Sequence, residues 1–458
     1  MNVNCGMAKS KTVYFCNQCG AESSKWAGKC NACGEWNTLR EEVVVVKNSP
    51  AGWVKTHPSD RSVPQKINEI ASNNTQRMIM PDTELNLVLG GGLVPGSLVL
   101  LGGEPGIGKS TLLLQVALKL NEQVMYVSGE ESAEQVKLRA ERIGIDNERC
   151  DVLTETRIEA ILQILQEQKP AIVVVDSVQT LFSEMLEATP GSVSQIRECT
   201  GKLLRFAKEN NVSVFLIGHI TKDGSIAGPK ILEHMVDTVL QFEGDRNYHF
   251  RILRTLKNRF GGTHEMGIYE MTGTGLAAVQ NPSQIFLAER DEEISGIAIA
   301  AAMEGVRPIL LETQSLVSTA VYGTPQRSST GFDLRRLNML LAVLEKRCGF
   351  RLGAQDVFIN LAGGIRIEDP ALDLAIATAI MSSYQGVVAP SKTVFAGEVG
   401  LSGEIRAVQR VEQRITEAEK LGFEEIVISK YNKVQIGSSK IKIHRFGRVD
   451  EMFSWLFG

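Results

Sequence analysis

The chain is 458 residues long, 43% hydrophobic and 22% charged, with 49 lysines and arginines against 53 aspartates and glutamates and a formal net charge of −4. That length accommodates two or three domains, and the mildly acidic balance excludes a global attraction to nucleic acid, so any such binding must use local basic patches or a lined channel. No uninterrupted apolar run approaches ~18 residues and Met1–Lys11 lacks the apolar core of a signal peptide, so the expectation is a cytoplasmic protein that does not span a membrane.

In chain order, a tail (1–12) precedes a cysteine module (13–37). Cys16-Asn-Gln-Cys19 and Cys30-Asn-Ala-Cys33 each form a knuckle whose two thiolates share one tetrahedral ion, and together they complete a Cys₄ zinc finger. Gly20 and Gly34 follow the second cysteine of each knuckle, where a tight turn is needed. Such a site is closed and is assigned no catalysis. Trp26 and Trp36 are expected to pack the module, and Cys5, Cys150, Cys199 and Cys348 read as buried or neutral thiols. Residues 38–76 lose periodicity and read as a linker, with one short helix around Pro64–Ala71.

Residues 77–275 alternate between strand and helix, which argues a parallel sheet covered on both faces. The run Ser97–Leu101 is a buried strand, Thr111–Ala117 a helix, and between them Gly103-Glu104-Pro105-Gly106-Ile107-Gly108-Lys109-Ser110 matches the phosphate-binding loop G-x-x-x-x-G-K-[ST]. Its glycines let backbone N–H groups converge on a polyphosphate, the helix N-terminus running into Thr111 adds its positive end, Lys109 reaches the β/γ-phosphates and Ser110 holds Mg²⁺. This predicts ATP binding and hydrolysis.

Further strands are expected at Gln123–Ser128, Ala171–Asp176, Ser213–His219, Val236–Phe242 and His249–Thr255. Ligands collect at strand C-termini in such sheets, so Asp176 is expected beside the phosphates as the second Mg²⁺ partner. Glu130, ending the neighbouring strand, is the candidate to activate the attacking water; Glu131 is the alternative, and alternating side-chain directions let only one of them serve. Two segments, Ser183–Ser194 and Thr221–Leu232, read as mobile loops leaving one sheet edge. Lys222 and Lys230 lie in the second, and Arg246, Arg251, Arg254, Lys257 and Arg259 crowd within fourteen residues. Lys222 and Lys230 could contact a phosphodiester backbone; Arg246, Arg251 and Arg254 alone would equally suit an exposed edge strand.

From 276 to 458 a second pattern begins. Strands are expected at Gly296–Met303, Arg307–Glu312, Asp356–Leu361 and Val394–Val399, with helices at Leu334–Arg347, Ala371–Met381 and Val408–Lys420. Leu334, Leu337, Leu341 and Leu344 would form one apolar helix face.

The Cys₄ knuckles, the phosphate loop Gly103–Ser110, the pentapeptide Lys257-Asn258-Arg259-Phe260-Gly261 and the C-terminal region resemble, in that order, the bacterial RadA (Sms) proteins, relatives of the RecA recombinase. The C-terminal region in turn resembles the proteolytic domain of Lon protease. The resemblance implies an α/β chain with a RecA-like ATPase core, an N-terminal zinc module and a C-terminal α+β Lon-like domain. It also implies a DNA-dependent ATPase driving branch migration as a hexameric ring around single-stranded DNA, acting on branched DNA alongside the RecA recombinase. Lys257 and Arg259 would then reach the nucleotide of a neighbouring subunit, as arginine fingers do. It is this family resemblance that makes Arg246, Arg251 and Arg254 candidate DNA contacts too, beside Lys222 and Lys230.

Two alternatives are an ATP-dependent Lon-type protease and a regulator of the KaiC kind. The protease is disfavoured because the position of the nucleophilic serine holds Ala371 and that of the base lysine holds Glu412. Ser382 and Ser383 lie further along the helix. A support role is expected instead, with Arg335, Arg336, Lys346 and Arg347 as a surface for duplex DNA.

Overall fold

The computed structural model describes residues 10–16, 20–45, 66, 77–219, 231–244, 250–279, 281–287, 294–320, 324–435 and 440–458. The expected helix around Pro64–Ala71, Cys19, Lys222, Lys230, Arg246 and nearly all of the Thr221–Leu232 loop lie outside them. The chain divides into two compact units, Met1–Val279 and Gln280–Gly458.

In the first unit, β1 (Ser10–Cys16) pairs antiparallel with β2 (Glu22–Ser23) and β3 (Leu39–Val45). The strand β3 carries order past residue 37 into the stretch expected as linker; its Leu-Arg-Glu-Glu-Val-Val-Val sequence gives no alternation that would announce a strand. Val13 and Phe15 of β1 pack with Val193. The two tryptophans do not pack the module: Trp26 is 61% and Trp36 68% exposed, their rings flanking Gly28. A small cluster of Cys16, Cys30 and Leu39 is buried there, and an ion held by thiolates would supply the remaining stability, which leaves both indoles at the surface.

The core follows. Helix α1 (Thr83–Val88) is capped by Asp82, whose side chain accepts from Leu85 N. Then come β4 (Leu98–Gly103), α2 (Lys109–Lys119), β5 (Val124–Ser128), α3 (Ala133–Ile143), β6 (Cys150–Leu153), α4 (Ile158–Gln168), β7 (Ile172–Asp176), α5 (Val193–Asn210), β8 (Ser213–His219), α6 (Ile231–Met235), β9 (Thr238–Glu243), β10 (Phe250–Asn258), β11 (Met266–Thr272) and β12 (Gly275–Ala278). They form one nine-stranded sheet, ordered β12-β11-β10-β9-β4-β8-β7-β5-β6. From β9 to β6 every pairing is parallel, and β10 to β12 add an antiparallel flank.

The central strands β4, β5 and β7 are buried on both faces, which is why they read as continuous apolar runs. One face is filled by α1 and α2 with Leu112, Leu113 and Val116, the other by α4 and α5 with Ile161, Leu165, Leu203 and Phe206. This is the expected RecA-like core.

The second unit has a seven-stranded sheet with the order β15-β16-β14-β13-β17-β20-β21. Its elements are α7 (Pro282–Phe286), β13 (Ile297–Glu304), β14 (Arg307–Thr319), β15 (Arg327–Thr330), α8 (Leu334–Cys348), β16 (Gln355–Leu361), α9 (Leu372–Gln385), β17 (Thr393–Ala396), β18 (Glu398–Val399), β19 (Ile405–Arg406), α10 (Val411–Lys420), β20 (Glu425–Ser429), β21 (Lys442–Phe446) and α11 (Val449–Phe457). Mixed parallel and antiparallel pairing around the almost wholly buried α9 makes it the expected α+β domain. The expected Val394–Val399 strand breaks at Gly397 into β17 and β18, where a Cβ would stand 2.8 Å from Ile405 Cγ2. Of the four leucines expected on one face of α8, Leu334 is exposed; Leu340 takes its place beside Leu337, Leu341 and Leu344.

Candidate nucleotide site and metal module

Strand β4 ends at Gly103 and the chain turns sharply before α2. Gly106 (φ 79°) and Gly108 (φ 114°) take left-handed conformations that side chains avoid. Ile107, between them, is buried in the core and pins the loop, while Glu104, Pro105 and Gly106 face outward. Gly108 caps α2 without a side-chain acceptor, so the first N–H groups of an eleven-residue helix, at Lys109, Ser110 and Thr111, face the loop.

The Lys109 ammonium is almost fully buried and donates to the carbonyls of Gly103 (2.8 Å) and Glu104 (2.9 Å). Burial depresses its pKa to about 8, against the opposing pull of Asp176, Glu130 and Glu104. Three carboxylates thus act on one lysine, which puts the ends of β4, β5 and β7 in a single site.

At the end of β7, Asp176 is buried and its Oδ2 accepts from the Tyr126 hydroxyl at 2.6 Å. Its carbonyl accepts from Gly129 N at 2.8 Å, which ties the β5 turn to β7. Gly129 has no room for a side chain, since a Cβ would meet Thr180 Oγ1 at 2.0 Å. The next two residues separate. Glu130 Oε1 accepts from the Ser177 hydroxyl at 2.5 Å, whereas Glu131 pairs with Arg139 of α3. Of the two glutamates, then, Glu131 is held by an arginine and Glu130 stands beside the residue that follows Asp176.

The loop expected to be mobile at Ser183–Ser194 is pinned. The Gln195 amide brackets it, accepting from Ser183 N and donating to the carbonyls of Ser183, Leu186 and Ala188. The Ser183 hydroxyl donates to Glu159, and Lys202 reaches both. Arg254 is committed to Glu243 at 3.1 Å, and Arg251 donates to the carbonyl of Phe250.

The pentapeptide closes β10. Asn258 accepts from Phe260 N and donates to the carbonyl of Leu89, Arg77 donates to the carbonyl of Phe260, and Gly261 lies against Gly90. Lys257 donates to the carbonyls of Glu233 and Val236 around α6, and desolvation together with Arg259 lowers its pKa. Exposed Arg259 reaches buried Asp237 at 3.5 Å, which also takes Lys208 at 2.7 Å and Leu98 N at 3.0 Å. Asn258 is opposite Thr238, and Thr238 is opposite Val99, whereas Gly103 is opposite Phe242. Lys257 and Arg259 therefore sit at the β4 end remote from the phosphate loop, four residues or ~13 Å of strand away.

In the module, the sulfurs of Cys16, Cys30 and Cys33 lie within 4.8 Å of one another, with Cys16 and Cys33 3.7 Å apart. A tetrahedral ion with ~2.3 Å metal–sulfur bonds requires sulfur–sulfur edges of ~3.8 Å. Two matching turns present the thiols: Gly20 N donates to Cys16 O and Gly34 N to Cys30 O, with both glycines at positive φ. The residues fit zinc, with Cys19 as the fourth ligand by sequence.

In the second unit Ala371 opens α9, and its N–H donates to Asp369. Asp369 also accepts from Met303 N and forms an ion pair with Arg414 at 2.6 Å, whose side chain is buried. The Glu412 carboxylate accepts from Gln435 N at 3.4 Å. Ser382 bridges Gly296 N and Val387 O, and Ser383 accepts from Val317 N. Both serines of α9 are thus backbone brackets. Arg336 is engaged by Asp373 and Glu398, whereas Arg335, Lys346 and Arg347 are exposed.

Local motifs announced the phosphate loop, Asp176 and the cysteines. Tyr126, Arg139, Ser177 and Thr180 carry no motif, and only the three-dimensional neighbourhood of Asp176 reveals them.

Known proteins match in the same three parts. A rubredoxin metal binding domain matches residues 14–41, an AAA domain residues 66–225, and the ChlI subunit of Mg-chelatase residues 313–432. Over nearly the whole length, the DNA repair protein RadA of Bacillus subtilis is 51% identical across 432 residues (93% of this chain, 94% of the other). That of Listeria monocytogenes is 50% identical across 432 residues (93% and 94%), and that of Halalkalibacterium halodurans 48% across 429 (93% and 94%).

Proposed function

The chain belongs to the RadA family of DNA repair proteins, and from that premise we propose that it is a DNA-dependent ATPase that drives branch migration of recombination intermediates. In this reading it works as a ring, beside the RecA recombinase, on single-stranded and branched DNA. The observation that carries the ATPase part is the convergence of Lys109, Asp176 and Glu130 on a phosphate loop at the strand ends. Lys109 moves from the loop carbonyls to the β/γ-phosphates, Ser110 and Asp176 would hold Mg²⁺, and Glu130, oriented by Ser177, accepts a proton from the attacking water. Mg²⁺ supplies charge neutralisation on the phosphates when bound.

The placement of Lys257 and Arg259 favours a multi-subunit site. Their own phosphate loop lies at the other end of the sheet, so a nucleotide they contact belongs to another copy. Lys222, Lys230, Arg246, Arg251 and Arg254 are the proposed DNA contacts, with Arg254 having to leave Glu243 first. The bracketed serines and the Asp369–Arg414 pair speak against proteolysis, and the second unit serves assembly.

The test is complementation. Lys257→Ala and Glu130→Gln should each lose DNA-stimulated hydrolysis and keep ATP binding. Mixed together they should regain part of it, because an intact finger from one then meets an intact base of the other. No rescue at any mixing ratio contradicts the shared site.

A further inference from the structure

Asp176 is held from behind by two groups. Tyr126, on the neighbouring strand, points the same way as Asp176, because residues two apart share a sheet face and Tyr126 stands opposite Val174. Its ring is fully buried and its hydroxyl donates to Oδ2 at 2.6 Å. Burial and the Asp176 charge hold the phenol pKa well above its usual value, so it stays a donor. From α3, Arg139 brings Nη1 to 3.8 Å from the same oxygen. That nitrogen is buried and has no hydrogen-bond partner, while Nη2 grips Glu131. Both contacts fall on Oδ2, and Oδ1 has no hydrogen bond among the described residues. A carboxylate engaged through one oxygen is left to present the other, and the Asp176 charge acts on Lys109.

We infer that Tyr126 and Arg139 are positioning residues for Asp176, leaving Oδ1 to face a bound Mg²⁺, and that Arg139 at the same time holds Glu131 aside, so that of the two adjacent glutamates only Glu130 faces the site. The inference rests on the ATPase reading above. It follows from geometry that a carboxylate with free side-chain rotation loses much of its effect as a metal partner, since a misplacement of about 1 Å costs on the order of 10²-fold in rate.

The experiment measures two things on wild type, Tyr126→Phe, Arg139→Met and Arg139→Lys. The first is hydrolysis against Mg²⁺ concentration at saturating ATP. The second is Mg²⁺-dependent binding of the imido analogue of ATP. Tyr126→Phe removes one oxygen with little change of volume, and the Mg²⁺ concentration for half-maximal rate should rise about tenfold in protein that is still folded at the assay temperature, with a lowered thermal midpoint because a buried acceptor loses its donor. Arg139→Met should show the same shift, and Arg139→Lys should recover part of it. An unchanged Mg²⁺ midpoint in both Tyr126→Phe and Arg139→Met overturns the inference. So does a loss of rate that only follows the loss of folded protein. Should the wild type bind the analogue yet hydrolyse nothing, the ATPase reading falls, and the binding midpoints still decide the positioning role.

Discussion

Lys109 should take up protons when ATP binds. In the nucleotide-free protein its pKa is about 8, below the usual 10.5, because burial removes water from the ammonium and the nearby carboxylates compensate only in part. Between those two values the folded state binds fewer protons than the unfolded one, so this residue's contribution to stability rises as pH rises through that window. A bound polyphosphate favours the charged form and returns the pKa to its ordinary range. Uptake should then be ~0.1 proton per ATP at pH 7, ~0.5 at pH 8 and ~0.9 at pH 9. Calorimetric titration with the imido analogue, repeated in buffers of different ionisation enthalpy, reads this number as a slope. Lys109→Arg keeps its charge throughout and serves to subtract protons belonging to the nucleotide. Uptake that does not change with pH, or that persists in Lys109→Arg, refutes the assignment of a buried, partly neutral lysine.

Other outcomes follow from single contacts. Gly129→Ala should destabilise the core by ~1–3 kcal/mol through overpacking, because its Cβ would fall 2.0 Å from Thr180 Oγ1; adding Thr180→Ala should recover only part of the midpoint in thermal melts, since the Cβ of residue 180 would still stand 2.9 Å away. Cys16→Ser should lose bound zinc, measured by metal analysis, while ATP hydrolysis without DNA persists. Arg414→Met should cost about 3–5 kcal/mol by stranding the Asp369 charge, visible in denaturant titration of the second unit. Ala371→Ser should not release peptide from casein, since Glu412 cannot act as the amine base.

How much was legible follows the scale of the interaction. The phosphate loop depends on consecutive residues, so Gly103–Ser110 announced it, and the buried strands β4, β5 and β7 announced themselves by unbroken apolar runs. Cysteine spacing likewise carried its own geometry. The strand β3 stayed hidden because its pairing with β1 is enforced by the distant partner rather than by its own Arg-Glu-Glu sequence. The exposure of Trp26 and Trp36 was missed because an aromatic residue in a small module reads as core unless metal supplies the stability. Tyr126 and Arg139 were invisible for a related reason. A tyrosine in an apolar strand and an arginine on a polar helix are ordinary residues until β7 brings Asp176 between them. The remoteness of Lys257 from its own phosphate loop is a matter of strand register, which no local pattern encodes.

The most direct test of the account is the rate of ATP hydrolysis with and without single-stranded DNA, on wild type and Lys109→Ala. The account predicts hydrolysis by the wild type that DNA accelerates and that falls as salt rises, and none by Lys109→Ala under either condition. A wild-type rate indifferent to DNA, or equal hydrolysis by Lys109→Ala, would contradict it.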